Sequence, residues 1–339
     1  MRLPRLRCLF PLAALGALAV AALLPATPAR AADKVTLGTN WVAQPEHGGF
    51  YQALADGTYA KYGLNVTIQP GGPQANSRLL LPAGKIDFYM GGNMLQAISS
   101  AVEGIPTVVV AAMFQKDPQV LIAHPDVTEL EQLATRTLFV SKEGLAGYYR
   151  WLIDAYRFSG DQVKPYPLSA APFLADKNSA MQGYITSEPY TVEQQGGFKP
   201  AVFLLADYGF NTYAATIETR SELVKRNPDL VQRFVDASII GWYHYLYGDN
   251  TKANALIKQD NPEMTDAMIA FSLARMKEHG IVDSGDSTAL GIGAMTDARM
   301  QSFYDKMVKA KVLAPGIDYA KSYTLQFVNK GVGRELAPE

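Results

Sequence analysis

From residue 34 onward the chain alternates short apolar runs with amphipathic stretches, and few folds accommodate that pattern. A run rich in β-branched residues, then a helical repeat, then another run makes a βαβ unit, which commits the runs to a sheet covered by helices. Residues 34–40 (KVTLGTN), 64–70 (LNVTIQP), 85–91 (KIDFYMG) and 106–115 (PTVVVAAMFQ) read as strands. Residues 47–63, 73–84 and 93–104 read as the helices between them, with Gly63 and Gly104 closing the first and third. Four strands joined in this way predict a parallel sheet with helices on both faces.

A second, smaller alternation follows the run 118–125, with strands at 135–141, 163–168, 180–186 and 201–209 and helices at 144–160 and 188–196. After 211–220 the pattern turns helical. Leu230, Phe234, Ile239 and Trp242 recur at helical spacing in 227–248, as do Met300, Phe303 and Met307 in 296–313. The expected architecture is therefore α/β with two lobes, the chain crossing near 115–126 and 206–213, and a helical C-terminal part. One lobe comprises 32–118 and 212–335, and the other 119–211. Ligands of such sheets sit beyond the carboxyl ends of the strands, which here places them in an interlobe cleft.

The N-terminal segment carries Arg2, Arg5 and Arg7, an apolar run from Cys8 to Leu24, and small residues around Ala29-Arg30-Ala31. That is the pattern of a cleavable signal peptide covering residues 1–31, so the mature chain is expected to be exported. Removal of the leader takes four of the 31 Lys+Arg and none of the 32 Asp+Glu, leaving a net charge of about −5. Such a surface gives no reason to expect nucleic acid or an anionic membrane as a partner. Cys8 is the one cysteine in the chain, so the mature protein has no disulfide, no thiolate nucleophile and no Cys-ligated metal.

The candidate site residues lie where strands give way to helices. Asn40 and Trp41 end the first strand and offer an amide and a broad aromatic face. Gly48, followed by Gly49, opens a helix whose free N–H groups suit an acceptor, although a glycine pair also eases helix packing. His47 looks catalytic beside Glu46, but a general base needs an orienting carboxylate and adjacent side chains usually diverge. The four histidines (His47, His124, His244, His279) have no metal-ligand spacing, so neither metal nor cofactor is expected. Asn93 stands at a helix N-cap, Gln115 follows the fourth strand, and Gly144, Gly147 and Tyr148 open a helix after a strand. Glu188 precedes Pro189 at a helix start, where the helix dipole favours its charge.

The stretches NWVAQPEHGGFYQALADGTYAKYGLNVTI, LPAGKIDF, VQRFVDASIIGW and especially GYITSEPY together resemble the SsuA/THI5-like (NMT1/THI5-like) periplasmic solute-binding proteins of ABC importers, over Lys34 to about Gly331. The resemblance implies a type II two-lobed fold that acts without chemistry, closing on a small solute as a monomer and delivering it to a permease and ATPase. Asn40-Trp41 resembles the pyrimidine-contacting pair of the thiamine-precursor branch, and a carboxylate at Glu188 suits an amino-heterocycle better than a sulfonate. A heteroaromatic, pyrimidine-like solute is thus expected, with an alkanesulfonate, taurine or nitrate-like anion as the alternative; Arg78 and Arg150 could serve such an anion. A related pyrimidine-phosphate synthase uses Lys, His and a Cys-rich motif, which IDFYMGGNMLQAI and the Cys-free mature chain lack.

Overall fold

A computed structural model describes residues 31–72 and 77–338; residues 1–30 of the expected leader lie outside the described residues. The described chain forms ten strands: β1 (Asp33–Thr39), β2 (Leu64–Gln69), β3 (Phe88–Asn93), β4 (Thr107–Phe114), β5 (Gln119–Ala123), β6 (Thr137–Val140), β7 (Val163–Pro165), β8 (Ser179–Tyr184), β9 (Ala201–Leu204) and β10 (Ala214–Arg220). They make two five-stranded sheets, ordered β2-β1-β3-β10-β4 and β7-β6-β8-β5-β9. The chain passes between them twice, through residues 115–118 and 205–213.

The first sheet is mixed rather than parallel. β1 runs parallel to β2 and β3, but β10 returns from the second sheet and inserts antiparallel between β3 and β4, with Ile217 opposite both Met90 and Ala111. That insertion joins residues more than a hundred positions apart, so local periodicity could not show it. The second sheet is mixed too: β6 is parallel to β7 and β8, and β5 is antiparallel to β8 and β9.

Between β1 and β2 the sequence predicts one helix, and the chain makes two, α1 (Gly48–Ala55) and α2 (Thr58–Lys61). The break is local chemistry. Gly57 takes the left-handed φ of 77°, and Asp56 Oδ1 receives the Thr58 N–H at 2.9 Å, an Asx turn that competes with the helix. The remaining helices are α3 (Ser77–Leu80), α4 (Met94–Val102), α5 (Lys142–Ala146), α6 (Tyr148–Tyr156), α7 (Ala171–Ala175), α8 (Glu188–Gly196), α9 (Ser221–Arg226), α10 (Pro228–Tyr247), α11 (Thr251–Asp260), α12 (Asp266–Glu278), α13 (Asp286–Leu290) and α14 (Asp297–Lys309). The predicted helix 144–160 is divided by Gly147 into α5 and α6.

The long helix α10 holds α1 in place. Its apolar face buries Leu230, Phe234, Ile239 and Trp242, and α14 buries Met300, Phe303 and Met307. Trp242 takes Phe50 and Phe114 against its edges at ring separations of 6.1 and 5.4 Å. A side chain at Gly48 would lie 2.0 Å from the Tyr245 ring, and one at Gly49 2.3 Å from the Trp242 ring. The glycine pair is thus required by the close approach of α1 to α10, and that contact fixes where the turn ahead of α1 stands.

Candidate functional site

That turn, a 3-10 segment of Pro45–His47, faces a small cleft lined by Asn40, Gln44, Glu46, His47, Met90, Gly91, Gly92, Phe114, Pro118, Tyr184, Ala214 and Ala215. The lining comes from the ends of β1, β3 and β4, the start of β10, and β8 of the other sheet. Its volume of about 10 Å³ holds no more than one water.

Glu46 and His47 are adjacent, yet both are buried and both line the cleft, at 1% and 0% exposure. A 3-10 turn separates successive side chains by about 120°, and a turn wedged between two sheets can bury both. Thr186, just after β8, donates its hydroxyl to Glu46 Oε1, and Ser272 Oγ of α12 donates to the Thr186 carbonyl at 2.6 Å. This pair of bonds ties the second sheet to the first. Among the described residues, Glu46 Oε2 has no hydrogen-bond partner. Burial pushes the Glu46 carboxyl up from 4.5 to about 7, against the lowering bond from Thr186 and with a smaller push from the Glu188 charge.

His47 Nε2 lies 3.3 Å from Asn40 Oδ1. An amide oxygen only accepts, so Nε2 carries the proton; burial drives the ring's pKa down to about 3, leaving it neutral with Nδ1 as a bare acceptor without partner. A ring held so far below neutral pH, and oriented by an amide rather than a carboxylate, is a poor general base.

The other residues singled out by the sequence fare differently. Trp41 is partly exposed rather than packed in the core, at the bend after β1, where its carbonyl accepts from Thr39 Oγ1 and Gly71 N. Gly48 faces Tyr245 and not the cleft, so packing accounts for it. Asn93 caps α4 by accepting from Leu95 N at 3.1 Å, and its amide donates to Asp117 between the two sheets at 2.8 Å. Gln115 is fully buried away from the cleft: its amide donates to Ala294 O at 2.9 Å, and its side-chain oxygen accepts from Arg299 at 3.1 Å. The N–H groups of Gly144 and Gly147 are not bare, because Ser141 Oγ and Gly144 O accept them at 3.0 and 3.2 Å. Tyr148 packs inward with Tyr149, its hydroxyl on Gln182 at 3.1 Å.

Glu188 begins α8, but its carboxylate turns back to accept from Tyr184 N at 2.7 Å and from Ser187 Oγ. Burial outweighs the helix dipole and the hydrogen bonds, raising its pKa above the ordinary value. Arg78 is committed to Glu218 in a mostly buried ion pair, and the exposed Arg150 lies beside Lys311 O at 3.4 Å. Neither lines the cleft. Arg78 instead borders a larger, mainly apolar hollow of about 280 Å³ along α4, which Gly147 reaches from the break between α5 and α6. Gln44 and Thr186 carry no local sequence signal for this place, and Glu46 is set aside by neighbour geometry alone; Pro45, which starts a 3-10 turn, is the signal that Glu46 and His47 share a wall.

Two mixed sheets joined by two crossovers, with a cleft at their strand ends, define the periplasmic-binding-protein class of α/β fold. The periplasmic aliphatic sulphonate binding protein SsuA of Escherichia coli superimposes with a TM-score of 0.61 at 14% identity, over 86% of this chain and 91% of that one. The desulfurization enzyme DSZB shares the fold at a TM-score of 0.56 and 16% identity, over 89% of this chain and 99% of that one. In sequence, the riboflavin-binding protein RibY of Chloroflexus aurantiacus is 24% identical over 310 residues, spanning 88% of this chain and 87% of its own. The NMT1/THI5-like family model matches residues 44–250, and the chain belongs to that family.

Proposed function

We propose that the protein is the exported solute-binding component of an ABC importer, and that it captures a small, uncharged or amino-bearing heteroaromatic solute between its two sheets. The observation that carries this reading is the cleft lining: among the described residues it contains a carboxylic acid and a neutral histidine and no Lys or Arg, while Arg78 is held by Glu218. An oxyanion placed there would lose its hydration without a cation to replace it. Similarity to a riboflavin-binding protein supports a heteroaromatic solute. Asn40 in the lining hydrogen-bonds the solute's edge; Trp41, partly exposed next to it but outside the lining of the cleft, supplies a stacking face when the sheets part, and Glu188, also outside the lining, adds a second carboxylate near Glu46.

In this reading 32–118 with 212–335 form one lobe and 119–211 the other. The leader directs the monomer to the periplasm, and the rims of both lobes meet a permease with its ATPase. The protein turns nothing over, since His47 is a weak base oriented by an amide. Isothermal calorimetry on the mature protein tests the assignment. Riboflavin or an aminopyrimidine binds while taurine and methanesulfonate do not; the reverse pattern overturns it in favour of a sulfonate-binding role.

A further inference from the structure

The cleft holds two buried groups that its own hydrogen bonds leave half used. Among the described residues, Glu46 gives Oε1 to Thr186 and keeps Oε2 without a partner, and His47 gives Nε2–H to Asn40 and keeps Nδ1 without one. Both residues line the cleft and are fully enclosed. An unsatisfied buried polar atom is costly, and native proteins rarely keep two on one short turn unless something completes them. These two atoms are acceptors: Nδ1 because the proton sits on Nε2, and Oε2 whenever the carboxyl is ionised.

We propose that Glu46 Oε2 and His47 Nδ1 form a two-acceptor subsite that reads an N–H edge of the solute, with Glu46 as the residue that sets specificity for donor-bearing, non-anionic heterocycles. The inference rests on the heteroaromatic reading above and deepens it. Thr186 leaves Oε1 occupied, so Glu46 turns only one oxygen to the solute, and Asn40 orients the ring that supplies the second acceptor. Without a donor, burial holds the Glu46 carboxyl up at about 7; a solute N–H counters that by stabilising the ionised form. A sulfonate or nitrate group has no donor to offer and meets Glu46 with Glu188 close by.

The test compares each parent probe with its N-methylated analogue, which keeps the ring and removes the donor: riboflavin methylated on its ring N–H, and an aminopyrimidine converted to the dimethylamino form. The wild type is expected to prefer a parent by at least tenfold, the usual scale of one hydrogen bond to a charged group. Glu46→Gln, which presents an NH₂ donor to the solute while its oxygen stays on Thr186, brings that preference to within about twofold, and Glu46→Met does the same. A wild type that binds parents and methylated analogues alike overturns the inference and leaves the heteroaromatic reading intact. So does a folded Glu46→Gln that keeps the tenfold preference, since the discrimination is then steric. A wild type that binds neither parent overturns both.

Discussion

Glu46→Gln should remove one of two opposed pH dependences that burial builds into the turn ahead of α1. Burial raises the Glu46 carboxyl from 4.5 to about 7, so the folded state keeps the proton over a range where the unfolded chain has lost it. Its contribution is full below pH 4.5 and disappears as pH rises through about 7. At about 1.4 kcal/mol per pH unit, the loss is on the order of 3 kcal/mol. His47 has the opposite sign. Its ring falls from 6.5 to about 3, so the folded state refuses a proton that the unfolded chain takes up, and stability declines as pH drops below 6.5. Between pH 4.5 and 6.5 the two slopes are equal and opposed, and they cancel. Glutamine fills the same volume and still accepts from Thr186, but it removes one slope. The variant should therefore gain about 3 kcal/mol on the wild type between pH 4.5 and pH 7.5, read from urea denaturation at both values. Glu188, Tyr245 and His47 surround the site in both proteins, so the difference isolates Glu46. A difference between variant and wild type that stays constant across that range would show Glu46 ionised in the fold and refute the argument.

Three further outcomes follow from the geometry. Trp41→Ala should weaken binding of a heteroaromatic solute by about 1 to 3 kcal/mol with thermal stability nearly unchanged, because the ring is partly exposed; calorimetry and a melting curve separate the two effects. Thr186→Val deprives Glu46 of its cross-sheet donor among the described residues and should disfavour the closed arrangement by about 1 to 3 kcal/mol, seen as a larger radius of gyration in small-angle scattering; no change in radius would show that other contacts hold the sheets together. Gly49→Ala forces a methyl within 2.3 Å of Trp242 and should cost about 1 to 3 kcal/mol of stability, whereas an unshifted melting temperature would mean that α10 yields freely.

Much of the fold was legible because local rules govern it. Alternating apolar runs located strands, and helical spacing named Leu230, Phe234, Trp242, Met300, Phe303 and Met307 as core, since burying one face of a helix needs that spacing whatever it packs against. Asn93 reads as a cap from its position alone and is one. Less of the site was legible. Gly48, Gln115 and Tyr148 look like ligand groups at strand ends, and each is taken up by a residue far along the chain: Tyr245, Ala294 with Arg299, and Gln182.

The sequence by itself determined the class of fold, the family, and the place where the first strand meets its helix at Asn40 to Gly49, because strand, turn and cap preferences act over a few residues. Only the tertiary structure decided that β10 enters the first sheet antiparallel, and that Glu46, which neighbour geometry set aside, faces the cleft beside His47. Those outcomes depend on which distant surfaces meet. A carboxylate's protonation and an imidazole's free nitrogen are set by desolvation and by partners such as Thr186, 140 residues away, not by neighbours in the chain.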